Sequence, residues 1–247
     1  MIVLIGGEKG GSGKSCLAQN LAVYLQVECR LGLMVVDCDP QRTTSKWIQS
    51  RNENSALTKI NCVQMYGKIR DDLLSLNNHY ECIIIDCGGQ DSVALRAALS
   101  VANFALLPLR PKRRDLQTLE HVDDLISNSQ MFNPNLESAF VLTQCPSLPN
   151  QVKRILEARD VCQSWGYRVL KGLTYQRNIY DDSEEAGCSV LELEPKGKAA
   201  NELRQIFNEL LHQENQRAIE ISYAHSAKQL EHEQYGTSRS YASVSER

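Results

Sequence analysis

Two lysines, Lys9 and Lys14, bracket the run Gly10-Gly11-Ser12-Gly13, and Ser15 and Cys16 follow at once. The apolar stretch Ile2-Val3-Leu4-Ile5 stands just before this run, and a helical pattern begins just after it. A glycine-rich turn between a strand and a helix points several backbone N–H groups at one place, and the helix dipole adds partial positive charge there. Such a turn is a phosphate cradle. Within it Lys14 can reach the outer phosphates of a nucleotide, and the Ser15 hydroxyl can ligate Mg²⁺. The common phosphate loop carries glycine where this chain has Glu8, with Lys9 beside it, so the loop is a variant form.

Carboxylates appear at two further strand ends. Asp37-Cys38-Asp39-Pro40-Gln41 closes the apolar run that starts at Leu33. Alternate residues of an extended segment share a side, which sets Asp37 and Asp39 toward the same rim. Two acids so placed can hold hydrated Mg²⁺ and orient a water for in-line attack on a terminal phosphate. Asp39 also has a plainer reading as the N-cap of the helix that follows. Asp86 ends Cys82-Ile83-Ile84-Ile85, an apolar strand plus Asp that can hold Mg²⁺ opposite a phosphate loop. The turn Cys87-Gly88-Gly89-Gln90 either senses the terminal phosphate or only connects to the helix at Ser92.

These residues need elements to hold them. Short apolar runs predict strands over 2–5, 33–37, 60–65, 82–86, 104–108, 139–143 and 167–173. Amphipathic patterns predict helices over 14–26, 43–51, 68–76, 92–101, 116–127 and 151–165, with a last one over 196–211 buried through Leu203, Ile206, Phe207, Leu210 and Leu211. Strict alternation with near-continuous apolar strands predicts a single α/β domain: a mostly parallel twisted sheet with helices on both faces. Ligands of such sheets bind at the carboxyl ends of strands, which places 9–15, 37–41, 86–91 and 108–115 on one rim.

The chain has 247 residues, 42% of them hydrophobic, enough for one large core over residues 1–211. Residues 212–247 turn polar, with four Lys or Arg against five Glu, and read as a helical extension to about Tyr223 followed by a disordered tail. A membrane anchor needs a basic face and a bulky apolar one, so no membrane partner is expected. The net charge of −3 requires any nucleic-acid contact to come from a local patch. The nine cysteines include no C-x-x-C pair and read as free thiols in a cytoplasmic protein.

The loop, the two acidic strand ends, and Leu107-Pro108-Leu109-Arg110-Pro111 followed by Asp115 resemble the ParA/MinD family of deviant Walker A ATPases. With no helix-turn-helix ahead of Met1, the likeness is to its short, ParF-like partition members, as is that of 174–180. The resemblance implies ATP and Mg²⁺ as cofactors, bound by Gly10 to Cys16 with Pro111 as a further nucleotide contact. It makes Ser15 and Asp86 metal residues, joined by Asp37 from the reading above, and Lys9, Lys14 and Asp39 catalytic. Lys9 is implied to cross the interface of an ATP-sandwich homodimer and touch the partner's nucleotide. The family cycle implies binding of nonspecific DNA when ATP-bound, hence nucleoid association, and hydrolysis stimulated by a centromere-binding adaptor.

Lys112-Arg113-Arg114 departs from that pattern, and either thickens a DNA-binding surface or is a solvated basic loop. The leading expectation is an ATP-dependent DNA partition ATPase. Its alternatives are a MinD-like or ParA-like ATPase that positions a protein complex and a metabolic ligase of the same fold. Cys87 lies directly beside Asp86, too close to suit the cluster cysteine of the nitrogenase iron protein, so no iron–sulfur cluster is expected.

Overall fold

A computed structural model describes residues 1–211 of the chain. The expected tail at 212–247, including the helical extension, lies outside the described residues. The chain divides into Met1–Phe207 and Asn208–Arg247, and of the second unit only 208–211 are described.

Among the described residues, seven strands form one parallel sheet: β1 (Ile2–Ile5), β2 (Leu33–Asp37), β3 (Asn61–Gln64), β4 (Cys82–Asp86), β5 (Phe104–Leu109), β6 (Glu137–Cys145) and β7 (Arg168–Tyr175). Their spatial order is β3-β2-β4-β1-β5-β6-β7. The helices between them are α1 (Lys14–Val23), α2 (Thr43–Glu53), α3 (Arg70–Asn77), α4 (Val93–Leu99), α5 (Arg113–Leu116), α6 (Leu119–Gln130) and α7 (Val152–Ser164). Two short helices, α8 (Ile179–Asp182) and α9 (Val190–Leu193), precede α10 over 198–211.

Buried strands read as continuous apolar runs because both faces are covered. Every residue of β1 and β4 is buried, and Ile83, Ile84 and Ile85 have no exposed surface. Each such side chain contributes about 1.5–3 kcal/mol by leaving water. β4 nevertheless ends in Asp86, and the parallel register aligns it with both Asp37 and Ile5. The apolar runs therefore set the strands, and the register delivers two carboxylates to one rim beside the glycine loop.

The expected helix over 116–127 starts three residues late, at Leu119, and runs to Gln130 as α6, while a short unexpected helix, α5, ends at Leu116. The Thr118 hydroxyl turns back onto the Asp115 carbonyl at 2.8 Å, in the local competition typical of hydroxyl side chains. Sequence periodicity also misses α8 and α9, four-residue elements too short to show a period.

Those short elements are tied to α2 by a buried cation. Arg51, fully buried, forks onto Glu192 at 2.7 and 2.8 Å and also donates to the carbonyls of Gly187 and Thr58. The Trp47 indole donates to the Cys188 carbonyl at 3.0 Å, and the Arg51 guanidinium lies 5.5 Å from the same indole. The helix that starts at the rim is thus braced at its far end against residues 187–192.

Candidate nucleotide site

Glycine conformation shapes the loop after β1. Gly13, with φ at +90°, caps α1 in a left-handed backbone state that other residues rarely adopt. The N–H groups of the first turn of α1 have no intrahelical partners and point out of the helix end. Three side chains from the far half of the sheet hold the loop's carbonyls. Thr143 donates to the Ser12 carbonyl at 2.7 Å, Gln144 to Gly11 at 2.9 Å, and Arg110 to Gly10 at 3.4 Å.

Gln144 does this from a strained backbone, with φ at +49°, where the pairing of β6 with β7 shifts register. Arg110 is itself held by Asp115, which is buried and accepts at 2.7 and 3.0 Å. With its carbonyls tied down from outside, the loop keeps its N–H groups without backbone acceptors among the described residues, open to an anion.

The two lysines differ sharply. Lys14 is 6% exposed, and its ammonium donates to the Lys9 carbonyl at 2.6 Å. Burial pulls its pKa down from the ordinary value, against the opposing charges of Asp86 and Asp39. Lys9 is half-buried, and its ammonium makes no hydrogen bond or ion pair among the described residues.

The acidic residues separate into three roles. Asp86 is fully buried, accepts from the Thr44 hydroxyl at 2.7 Å through Oδ2, and leaves Oδ1 without a hydrogen-bond partner among the described residues. Burial pushes its carboxyl up to about 7, aided by the charge of Asp37 and opposed by the Thr44 and Ser15 hydroxyls and by Lys14. An orphaned, buried carboxylate oxygen beside a serine hydroxyl fits Mg²⁺ or a water bound to it. Asp39 accepts from the Gln41 N–H at 2.8 Å through Oδ1 and keeps Oδ2 without a partner among the described residues.

Asp37 is placed differently from the expectation. β2 stops at Asp37, so the alternation that would aim Asp37 and Asp39 together does not continue. Its Oδ2 accepts from both the N–H and the hydroxyl of Ser45, at 2.7 and 2.6 Å, and Oδ1 from the Asp39 N–H at 3.0 Å. With three hydrogen bonds made inside the chain, Asp37 braces the start of α2 and the Asp39 backbone.

The turn after β4 presses on the phosphate loop. A Cβ at Gly89 would lie 2.7 Å from the Gly10 nitrogen and 2.9 Å from the Lys9 carbonyl carbon, so only glycine fits that approach.

A cavity of about 630 Å³ opens in front of the loop. Gly10, Gly11, Gly13, Lys14, Ser15, Cys16 and Asp39 line one side. Tyr175, Gln176, Arg177, Tyr180, Asp181 and Glu184 line the other, a wall that reading by motif does not assign. Glu202 organises this wall, accepting from the Tyr175 N–H, the Arg177 guanidinium and the Tyr180 hydroxyl. Pro111, expected against the nucleotide, is buried and not among the lining residues. The signal that could have found the wall was the dense run of aromatic and polar side chains directly after β7. The volume and the division into a phosphate-binding side and an aromatic side suit a nucleotide.

Known proteins are similar to this chain in sequence and in fold. The chain is 27% identical over 206 residues to "Maintenance of carboxysome distribution protein A" of Halothiobacillus neapolitanus, covering 82% of this chain and 93% of that one. It is also 27% identical to "Chromosome partitioning protein ParA" of Myxococcus xanthus, over 63% of this chain and 69% of that one. The MinD cell division protein of Aquifex aeolicus has the same fold, with a TM-score of 0.68 at 16% identity, over 85% of this chain and 96% of that one. The model of the CobQ/CobB/MinD/ParA nucleotide binding domain matches residues 3–223, and the chain belongs to that family.

Proposed function

We propose that the chain is an ATP-driven positioning ATPase that distributes a protein cargo, works as an ATP-bound homodimer, and uses nonspecific DNA as its track. The observation that carries this reading is the contrast between the two loop lysines. Lys14 donates to its own loop, whereas Lys9 stands next to Gly10 of the cavity lining with its ammonium unpartnered among the described residues. A cation so placed is available to a second copy's nucleotide, which makes assembly depend on ATP in the way a trans-acting arginine couples assembly to chemistry.

In this reading the loop N–H groups and Lys14 bind the phosphates, and Ser15 with Asp86 Oδ1 holds Mg²⁺. Mg²⁺ when bound supplies positive charge against the outer phosphates. Asp39 Oδ2 accepts a proton from the attacking water and orients it. Asp37 and Ser45 keep Asp39 in place.

The likeness to a carboxysome-distribution protein over nearly its whole length supports a protein complex as cargo, in place of the DNA segment that the sequence motifs first suggest. The exposed Lys112, Arg113 and Arg114 at the start of α5 support DNA as the track. An adaptor protein on the cargo takes the place of the centromere-binding partner.

The test uses purified protein with ATP, with ADP, and with ATP plus the Lys9→Ala variant. Sedimentation and nonspecific DNA binding are read in each case. ATP alone is expected to give dimers and DNA binding, and Lys9→Ala to lose both. Turnover that needs a small carboxylic acid and ignores DNA would instead make the chain a ligase. Co-sedimentation with liposomes in ATP would make the track a membrane.

A further inference from the structure

β3 forms one edge of the sheet, and its hydrogen-bond ladder is unfinished. Along a parallel strand, successive residues address their N–H and C=O to opposite neighbours. The Met65 N–H bonds the Asp37 carbonyl at 3.1 Å, and on the other side of β2 the Cys38 N–H bonds the Asp86 carbonyl at 2.8 Å. This parity turns Asn61, Val63 and Met65 toward β2, and Ile60, Cys62 and Gln64 outward.

At Ile60 a side chain stands in for the absent neighbour. The Asn52 amide accepts from the Ile60 N–H at 3.0 Å and donates to the Ile60 carbonyl at 2.9 Å. A carboxamide carries the donor and acceptor of a peptide group, so Asn52 acts as the first residue of a further strand. Beyond it, the outward N–H and C=O groups of Cys62 and Gln64 have no backbone partner among the described residues.

Within Asn61-Cys62-Val63-Gln64 there is no lysine or proline, and the pairing with β2 runs without a bulge. Beside it lies a cavity of about 410 Å³, walled by Ser45, Gln49 and Asn52 of α2 and by Cys62 and Gln64 of β3. No charged side chain lines it, and burial pushes the Cys62 thiol up to about 11, which keeps it neutral. Ser45 on this wall is the residue that holds Asp37.

We propose that the β3 edge docks an extended, uncharged peptide segment of a partner protein, which adds as a strand and continues the pairing that Asn52 begins. The outward peptide groups call for an extended backbone, and alternate side chains of the guest enter the neutral groove against α2. This inference is independent of the nucleotide chemistry.

Short random peptides displayed on phage are selected against the immobilised full chain, and the selected sequences are remade with a fluorophore for polarisation measurements. Gln64→Pro removes an outward N–H that β2 does not use, at an edge position where proline is tolerated. Selected peptides are expected to bind about tenfold more weakly to Gln64→Pro, and N-methylation of one alternate set of peptide nitrogens, but not the other, is expected to abolish binding. Should circular dichroism show Gln64→Pro unfolded, the N-methyl series on the unaltered chain decides. Selection of no peptide, equal binding to both proteins, or indifference to N-methylation would overturn the proposal. Nucleotide-free dimerisation that Gln64→Pro abolishes, with no peptide competing, would assign the edge to a second copy and also overturn it.

Discussion

From the first turn of α2, Thr44 donates a 2.7 Å hydrogen bond to Asp86 Oδ2, while Asp86 Oδ1, just as buried, has no partner among the described residues. Thr44 therefore fixes which way the carboxylate faces and leaves the other oxygen for a cation. Partners of metal-binding carboxylates typically contribute 10–100-fold in metal affinity. Thr44→Val is expected to raise the Mg²⁺ concentration for half-maximal ATP turnover by about that factor, with the fold unchanged by circular dichroism. A Mg²⁺ titration of turnover checks this, and an unshifted midpoint would remove Thr44 from the site.

The lysines separate binding from assembly. Lys14→Ala is expected to lose binding of a fluorescent ATP analogue by about 100-fold, since a buried ammonium beside the phosphates is removed. Lys9→Ala is expected to bind the analogue normally yet remain monomeric in multi-angle light scattering with ATP. Loss of nucleotide affinity in Lys9→Ala would show that its ammonium serves its own site.

Gly89 tests the contact between the turn after β4 and the loop. In Gly89→Ala the added methyl meets the Gly10 nitrogen at 2.7 Å, so one of the two segments must move. A shift of this size at a phosphate cradle is expected to cost about 100-fold in turnover. Global stability should fall much less, because the clash is confined to two turns at the rim. Turnover within twofold of the parent would mean that the turn yields freely.

The Arg51–Glu192 pair predicts an acid limit on stability. Burial alone would push the Glu192 carboxyl up, but the hydrogen bonds and charge of Arg51, with those of Ser189, outweigh it and hold the pKa below the ordinary value. A carboxylate depressed in this way contributes stability that is full above its unfolded pKa, about 4.3, and is lost as pH falls through the folded value. Urea unfolding should therefore show a loss below about pH 4 that Glu192→Gln diminishes. At neutral pH, Arg51→Met is expected to cost about 3–5 kcal/mol, because it leaves Glu192 unpaired beneath α2. A double variant with Glu192→Leu should recover part of that loss.

The rim motifs were legible because each is a local pattern. Gly10 to Ser15 must follow a strand to work as a cradle, and Ile83 to Ile85 announce a buried strand whose end is Asp86. The parallel sheet followed from the same apolar runs. Where a side chain points after its strand ends was less legible. Asp37 looked like a companion of Asp39, yet Ser45 captures its carboxylate, and Ser45 carries no signal until α2 is folded back.

The residues from Lys9 to Ser15, together with Asp39 and Asp86, determine by their own order that a glycine loop and strand-end acids meet on one rim, because backbone N–H groups, a helix end and strand-end acids are products of local sequence. Only the tertiary structure decided what encloses it. Thr143, Gln144 and Arg110 reach the loop across 100 or more residues of chain, and Glu202 braces Tyr175, Arg177 and Tyr180 from another helix. Hydrogen bonds between segments so distant in sequence depend on strand order and helix packing, which no short motif encodes. The two lysines divide along the same line: their types and spacing are sequence facts, while folding turns the Lys14 ammonium onto the Lys9 carbonyl and leaves the Lys9 ammonium without a partner among the described residues.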